Sequence, residues 1–247
     1  MSTAELIVVG VASALAMLAK SATGLGYPLI AIPILAPLIG IETAVAAITL
    51  PNAAANMLVG WRTRHARSEA RDVLVLSATS AVGAVAGTFV LVSAPERPLL
   101  IVLAAAVLLF VVRSLWFGDI TVPAEAARRA SPGVGLISGV MQGAVGVSGP
   151  IIGSWLYAYR LPRDAYIFAL SVLFLIAGLA QISSLASIGA YDSDRLIAAA
   201  IGFGPVLAML PIGERLRARL SGSQFDRVVL GLLAAAGVTL VVRAFTG

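Results

Sequence analysis

Two short stretches, Lys20-Ser-Ala-Thr-Gly-Leu-Gly-Tyr-Pro28 and Gln142-Gly-Ala-Val-Gly-Val-Ser-Gly-Pro150, combine residue types that together attract an anion. Lys20 is the only lysine in the chain. Ser21, Thr23, Tyr27, Gln142 and Ser148 add neutral donors, and neither stretch contains an Asp or Glu. Gly24, Gly26, Gly146 and Gly149 permit backbone that leaves the helical region, while Pro28 and Pro150 suit the first turn of a helix that follows. A helix that starts there presents unpaired N–H groups and the positive end of its dipole. This is chemistry for a compact oxyanion or a small organic acid; a metal or sodium ion needs a cage of carboxylates instead. For Lys20 a plainer reading stands beside it, that of an anchor whose ammonium snorkels to the membrane surface after a first apolar helix.

The elements that must hold these residues are membrane helices. Of 247 residues, 60% are hydrophobic and 12% charged, with a mean hydropathy of +1.00, whereas a soluble domain is about 25% charged. Apolar windows at roughly 43–60, 73–95, 98–112, 165–190, 196–212 and 228–242 are long enough, or nearly so, to cross a hydrocarbon core of about 30 Å. None shows the alternation of a barrel strand, so the class is all-α, a polytopic helical membrane protein. With no cysteine, disulfides and thiolate metal sites are excluded. A net charge of +5 and a pI near 10.2 would suit nucleic acid, but the arginines stand in short loops between spans, where topology accounts for them. The partner is the lipid bilayer. The opening residues carry an acid at Glu5 and no basic stretch ahead of the apolar run, so they read as a retained segment and not as a cleaved signal.

The chain repeats itself. Residues 20–28 lie over 142–150 at an offset of 122, and the match continues through Ala36 on Ala158, Glu42 on Asp164 and Ala47 on Ala169. Residues 96–113 lie over 226–243 at an offset of 130. Two copies follow, 1–118 and 133–247, joined by a cytoplasmic linker at 119–132. Arg62, Arg64, Arg67 and Arg71 place one loop inside, and Arg215, Arg217 and Arg219 another. Segments 4–40 and 133–160 must then each enter and return on one side, from opposite faces. Each half becomes a broken-helix hairpin plus three spans, and the halves are inverted, a transporter signature. Whether the hairpins are re-entrant or cross fully stays open.

Secondary candidates lie on the spans that follow. Asn52 and Asn56, four apart, share one helical face and either line a cavity or bond to a neighbouring helix. At the corresponding depth in the second copy stand Phe174 and Gly178, with Gln181 beyond. Glu42 and Asp164 follow the hairpins and are expected to cap helices, with proton coupling as the sharper alternative. Gly83 and Gly87 have the spacing of close helix packing. His65 is the only histidine and sits in a basic loop, and no catalytic triad, metal motif or phosphate loop appears. An enzyme is not indicated.

The glycine-rich hairpins followed by proline, TGLGYPLIAIPIL and GAVGVSGPIIG, together with the duplicated halves, resemble the sulfite exporter TauE/SafE family of anion permeases across essentially the whole chain. The resemblance implies a multi-pass permease of the bacterial inner membrane for sulfite, sulfonates or other organic anions, without cofactor or metal. It points to Gly24, Gly26, Pro28, Gly146, Ser148, Gly149 and Pro150. The sequence departs from the family's longer glycine run at Lys20, Tyr27 and Val147. Alternating access is the expected mechanism, with an anion channel or proton-coupled uptake as rivals, and a homodimer is left open.

Overall fold

The computed structural model describes residues 1–23, 27–70, 72–116, 124–219 and 222–246. These form ten α-helices and one 3-10 helix, and no strand occurs among the described residues. A long helix α1 (Thr3–Thr23) is followed by a short one, α2 (Tyr27–Ile39), then by α3 (Ile41–Arg62), the 3-10 helix (Arg64–Glu69), α4 (Val73–Ser93) and α5 (Glu96–Trp116). The order then recurs as long α6 (Ala124–Val145), short α7 (Gly149–Tyr157), α8 (Arg163–Ser187), α9 (Ser193–Arg219) and α10 (Gly222–Thr246). Six of these helices, α1, α3, α4, α5, α8 and α9, are long and apolar enough to cross a membrane.

Between α6 and α7 the break has a local cause. Gly146 has φ +72°, a left-handed conformation that opens the helix, and Pro150 then occupies the first turn of α7. The segment read as a linker is in part helical: α6 already starts at Ala124, carried by an Ala-rich run and an Arg129–Glu125 pair of 2.6 Å one turn apart. Residues 117–123 of that linker lie outside the described residues.

Contacts at the two ends of the bundle fix the direction of each helix. At one end the Met1 ammonium meets Asp194, Arg195 Nη1 lies 2.8 Å from Glu42 Oε1, and the Ile41 N–H donates to Glu96 Oε1 at 3.1 Å. The starts of α1, α3, α5 and α9 therefore share that end. At the other, His65 Nε2 lies 3.0 Å from Asp164 Oδ2, and the Tyr159 hydroxyl donates to Asp72 Oδ2 at 3.0 Å with Ser131 Oγ 2.8 Å away. Helices α1 and α2 thus enter from the first end and return to it, while α6 and α7 enter from the second end and return there. Burial pushes the Tyr159 phenol above its ordinary range, and its bond to Asp72 acts in the same direction.

Packing follows the same exchange. Helix α1 lies along α9 and α6 along α4; α4 packs on α8 and α9 on α3; α3 meets α8, and α5 meets α10. The α4–α6 seam is the tightest. Gly83 and Gly87 of α4 face Leu136, Val140 and Ala144 of α6, while Gly135, Gly139 and Gly143 of α6 face Leu76, Ser80 and Ala84 of α4. A methyl group at any of these five would fall inside atoms of the opposite helix, chiefly its backbone. Without a hydrophobic drive between helices in lipid, such close contact is what holds them together. The polarity is inside out for the same reason. Leu74, Val82, Leu109 and Trp116 project outward, whereas Ser13, Lys20, Asn52, Asn56, Gln142 and Gln181 are buried.

Glu42 and Asp164 do not cap their helices. Gly40 and Pro162 hold the N-cap positions without a side-chain bond of their own, and at the start of α3 it is Glu96 that accepts from the Ile41 N–H. The acids instead stand in the first turn, where the dipole favours them, and each reaches a base on the other half. Both pairs are partly exposed, so neither dominates stability. Replacing Glu42 by Gln is expected to lower stability by at most about 1 kcal/mol, a drop of no more than about 4 °C in the melting midpoint of detergent-solubilised protein. A larger fall would show that the Arg195–Glu42 pair locks that end of the bundle.

Candidate functional site

The C-terminal end of α1, the start of α2 and the break between α6 and α7 converge on one place. Lys20 stands near the C-terminal end of α1 and is 3% exposed, and its Nζ donates to Asn56 Oδ1 at 2.8 Å. Asn56 Nδ2 in turn donates to Asn52 Oδ1 at 3.1 Å, one turn back on α3. On the other side Lys20 Nζ stands 5.6 Å from the centroid of the Phe174 ring, near the middle of α8. That geometry is a cation over the negative face of a ring.

The second break is held by amides. Gln142, at the end of α6, accepts from Ser148 Oγ at 2.9 Å and donates to Gln181 Oε1 at 3.2 Å. Gln181 Nε2 donates to the carbonyls of Gln142 and Gly143, at 2.9 and 3.1 Å. The Gln142 carbonyl also accepts the last helical bond of α6, from the Gly146 N–H at 2.9 Å, whereas the Gly143 carbonyl stands among the end groups whose helical partners run out. A side chain from α8 therefore supplies a donor to the end of the broken helix, as irregular backbone at membrane depth requires. Ser148 is the N-cap residue of α7, but its hydroxyl turns to Gln142 and does not cap.

Between the two breaks lies a cavity of about 10 Å3, close to the least that admits one water molecule. Lys20, Gln142, Ser148 and Gly149 supply its polar wall, and Pro28, Leu29, Val147 and Phe174 its apolar one. Among the described residues the polar wall offers an amine, a hydroxyl, an amide and the start of α7, but no carboxylate. Its chemistry matches an anion with an apolar flank.

Of the expected site residues, Lys20, Gln142, Ser148 and Gly149 meet at this cavity. Asn56, Asn52 and Gln181 stand one step behind and orient Lys20 and Gln142. Ser21 turns away: its Oγ donates to the Met17 carbonyl at 2.8 Å and its side chain packs against Gly213 of α9. Tyr27 is wholly buried, and its hydroxyl has no hydrogen-bond partner among the described residues. Gly146 packs against Ile32 and Val45, where a side chain would clash. The expectations for Gly24 and Gly26 lie outside the described residues, and that for Thr23 extends only to its backbone. Phe174, Leu29 and Val147 were not expected in the site. Phe174 carried one signal, its position opposite Asn52 in the repeat at offset 122.

A family profile described as sulfite exporter TauE/SafE matches residues 9–240. The chain belongs to the sulfite exporter TauE/SafE family. No curated protein and no solved structure matches it. Family membership and the six apolar helices make it a multi-pass membrane transporter of an anion-transporting family and not an enzyme. For a TauE/SafE member, the meeting of two helix breaks around a lysine places the positive potential inside the bundle, where an anion would need it.

Proposed function

We propose that the protein exports small anions, such as sulfite, sulfonates or organic acids, across the bacterial inner membrane. The cavity between the two breaks holds the anion, and two inverted halves, about 1–118 and 133–247, rock against each other to expose it to one side and then the other. One observation carries this reading: the sole lysine is buried beside a hydroxyl, an amide and a helix start, with no acid in the cavity wall. The opposed directions of the two hairpins and the exchanged packing of α1 on α9 and α6 on α4 support the inversion.

The charge distribution supports a direction. Arg62, Arg64, Arg67, Arg160 and Arg163 outnumber Glu69, Asp72 and Asp164 at the end where α6 and α7 enter, and the opposite end sets Glu5, Glu42, Glu96, Asp192 and Asp194 against Arg97, Arg195 and the Met1 ammonium. By the positive-inside rule the basic end is cytoplasmic. Anions are drawn to that mouth and repelled from the other. An inside-negative potential adds about 2.3 kcal/mol per 100 mV for each net negative charge moved outward. A cavity of about 10 Å3 is no open conduit, which favours alternation over a channel.

The test is a flux screen in reconstituted vesicles with labelled sulfite, a short sulfonate, acetate or chloride, each anion being present on both sides. Sulfite or the sulfonate is expected to move, and Lys20→Ala is expected to reduce kcat/KM by about 100-fold. Absence of flux for every anion, or an unaltered rate in Lys20→Ala, would overturn the assignment.

A further inference from the structure

We infer that transport by this protein is an obligate exchange: its centre crosses in either direction only when an anion occupies it. The inference rests on the anion-transport reading above and concerns the charge that Lys20 brings to the closed site. Among the described side chains, those that touch Lys20 closely are neutral. Asn56 Oδ1 accepts its hydrogen bond, and the Phe174 ring lies beneath it. From α3 come Asn52 and Asn56, from α8 Phe174 and Gln181, and from α6 and α7 Gln142 and Ser148, none of them ionisable. From α2 the nearest ionisable group is the buried phenol of Tyr27. The acids of α3 and α8, Glu42 and Asp164, stand at opposite ends of the bundle and face Arg195 and His65. Among the described residues no carboxylate pairs with Lys20.

The surroundings are arranged for an ammonium. Because Asn56 Nδ2 donates to Asn52 Oδ1, the amide presents its oxygen, and not its NH2, to Lys20. The ring face is a second preference for a cation. Neutral acceptors lower the cost of burying a charge but leave the net charge in place, and a low-dielectric interior penalises it until an opposite charge arrives. Where the second repeat could have supplied a compensating acid opposite Lys20, it supplies Gln142. The substrate is then the counter-ion. A site holding the Lys20 ammonium and a monoanion is neutral and closes readily, whereas a site holding the ammonium alone does not, so while Lys20 keeps its proton the return leg also carries an anion. Exchange of anions of equal charge is electroneutral.

Vesicles loaded with a radiolabelled short sulfonate, a monoanion at any working pH, test this directly at neutral pH. Efflux of wild-type protein into medium containing the unlabelled sulfonate is expected to exceed efflux into sucrose medium free of added permeant anion by about 10-fold or more. In Lys20→Met, slower in absolute rate, the two media are expected to differ by less than about 2-fold, because no charge then needs compensation. Lys20→Arg keeps the charge and is expected to keep the dependence. Equal efflux of wild-type protein into both media overturns the inference, as does loss of the dependence in Lys20→Arg or its persistence in Lys20→Met. Efflux into anion-free medium with matching proton movement, read by an entrapped pH dye, overturns it as well, since Lys20 would then shed its charge. If labelled sulfite and the labelled sulfonate fail to move even with anion on both sides, the transport reading itself falls.

Discussion

Gly139→Ala is expected to lower the melting midpoint by about 10 °C, while Gly133→Ala, six residues earlier on the same helix, is expected to leave it unchanged or slightly raised. A β-carbon on Gly139 falls inside the Ser80 carbonyl of α4, and the atoms it would meet are all backbone. A side chain can rotate away from such a clash; a helix backbone has to move as a body. That movement would part Gly83, Gly87, Gly135 and Gly143 from their neighbours as well, since all five glycines share one seam. Overpacking in a well-packed interior costs about 1–3 kcal/mol and occasionally more, and a backbone-to-backbone clash belongs at the upper end. At about 2–4 °C per kcal/mol for a chain of this size, the melting midpoint falls by about 10 °C. Nothing lies within 4 Å of a β-carbon on Gly133, and Ala there gains up to about 1 kcal/mol of helix propensity over Gly. Size-exclusion profiles and thermal melts of both variants in detergent check the contrast. Equal profiles would show that the seam is looser than its geometry states.

How far the site could be read beforehand depends on whether residue type or residue direction decides. Lys20, Gln142 and Ser148 were legible because charge and donor chemistry beside glycine and proline have few uses inside lipid. Asn52 and Asn56 left two readings, and the structure shows the second: Asn56 bonds across to Lys20 of α1, and neither amide is in the cavity wall. Ser21 failed on direction. One residue along an α-helix turns the side chain by about 100°, so with Lys20 pointing at α3 and α8, Ser21 points at α9. Phe174 is an apolar ring in an apolar span, and only its place in the repeat distinguishes it. The capping expected of Glu42 and Asp164 was local, whereas their partners Arg195 and His65 come from the other half and are set by how the halves dock. Gly83 and Gly87 needed no partner to be recognised, since small residues four apart in a span admit few readings.

Asn56→Leu is expected to abolish transport and to destabilise the protein by about 2–3 kcal/mol, the loss that follows when a buried charged donor is left without its acceptor. Leu keeps the branched shape and heavy-atom count of Asn but is bulkier, so overpacking at this fully buried position adds to the fall and the single variant alone does not separate the two effects. The substitution strands Lys20 and also removes the donor to Asn52 Oδ1. The decisive comparison is the double variant Lys20→Met with Asn56→Leu. Replacing both partners of a buried polar pair by apolar groups of similar shape is close to neutral, so most of the lost stability is expected to return, a coupling of about 2 kcal/mol in a double-mutant cycle. Flux is not expected to return with it, because the charge that draws the anion is gone. Thermal unfolding in detergent reads the first quantity and vesicle flux the second. A double variant no more stable than Asn56→Leu alone would mean that Asn56 stabilises α3 and not Lys20, and the ammonium would then have to be held by the ring of Phe174 alone.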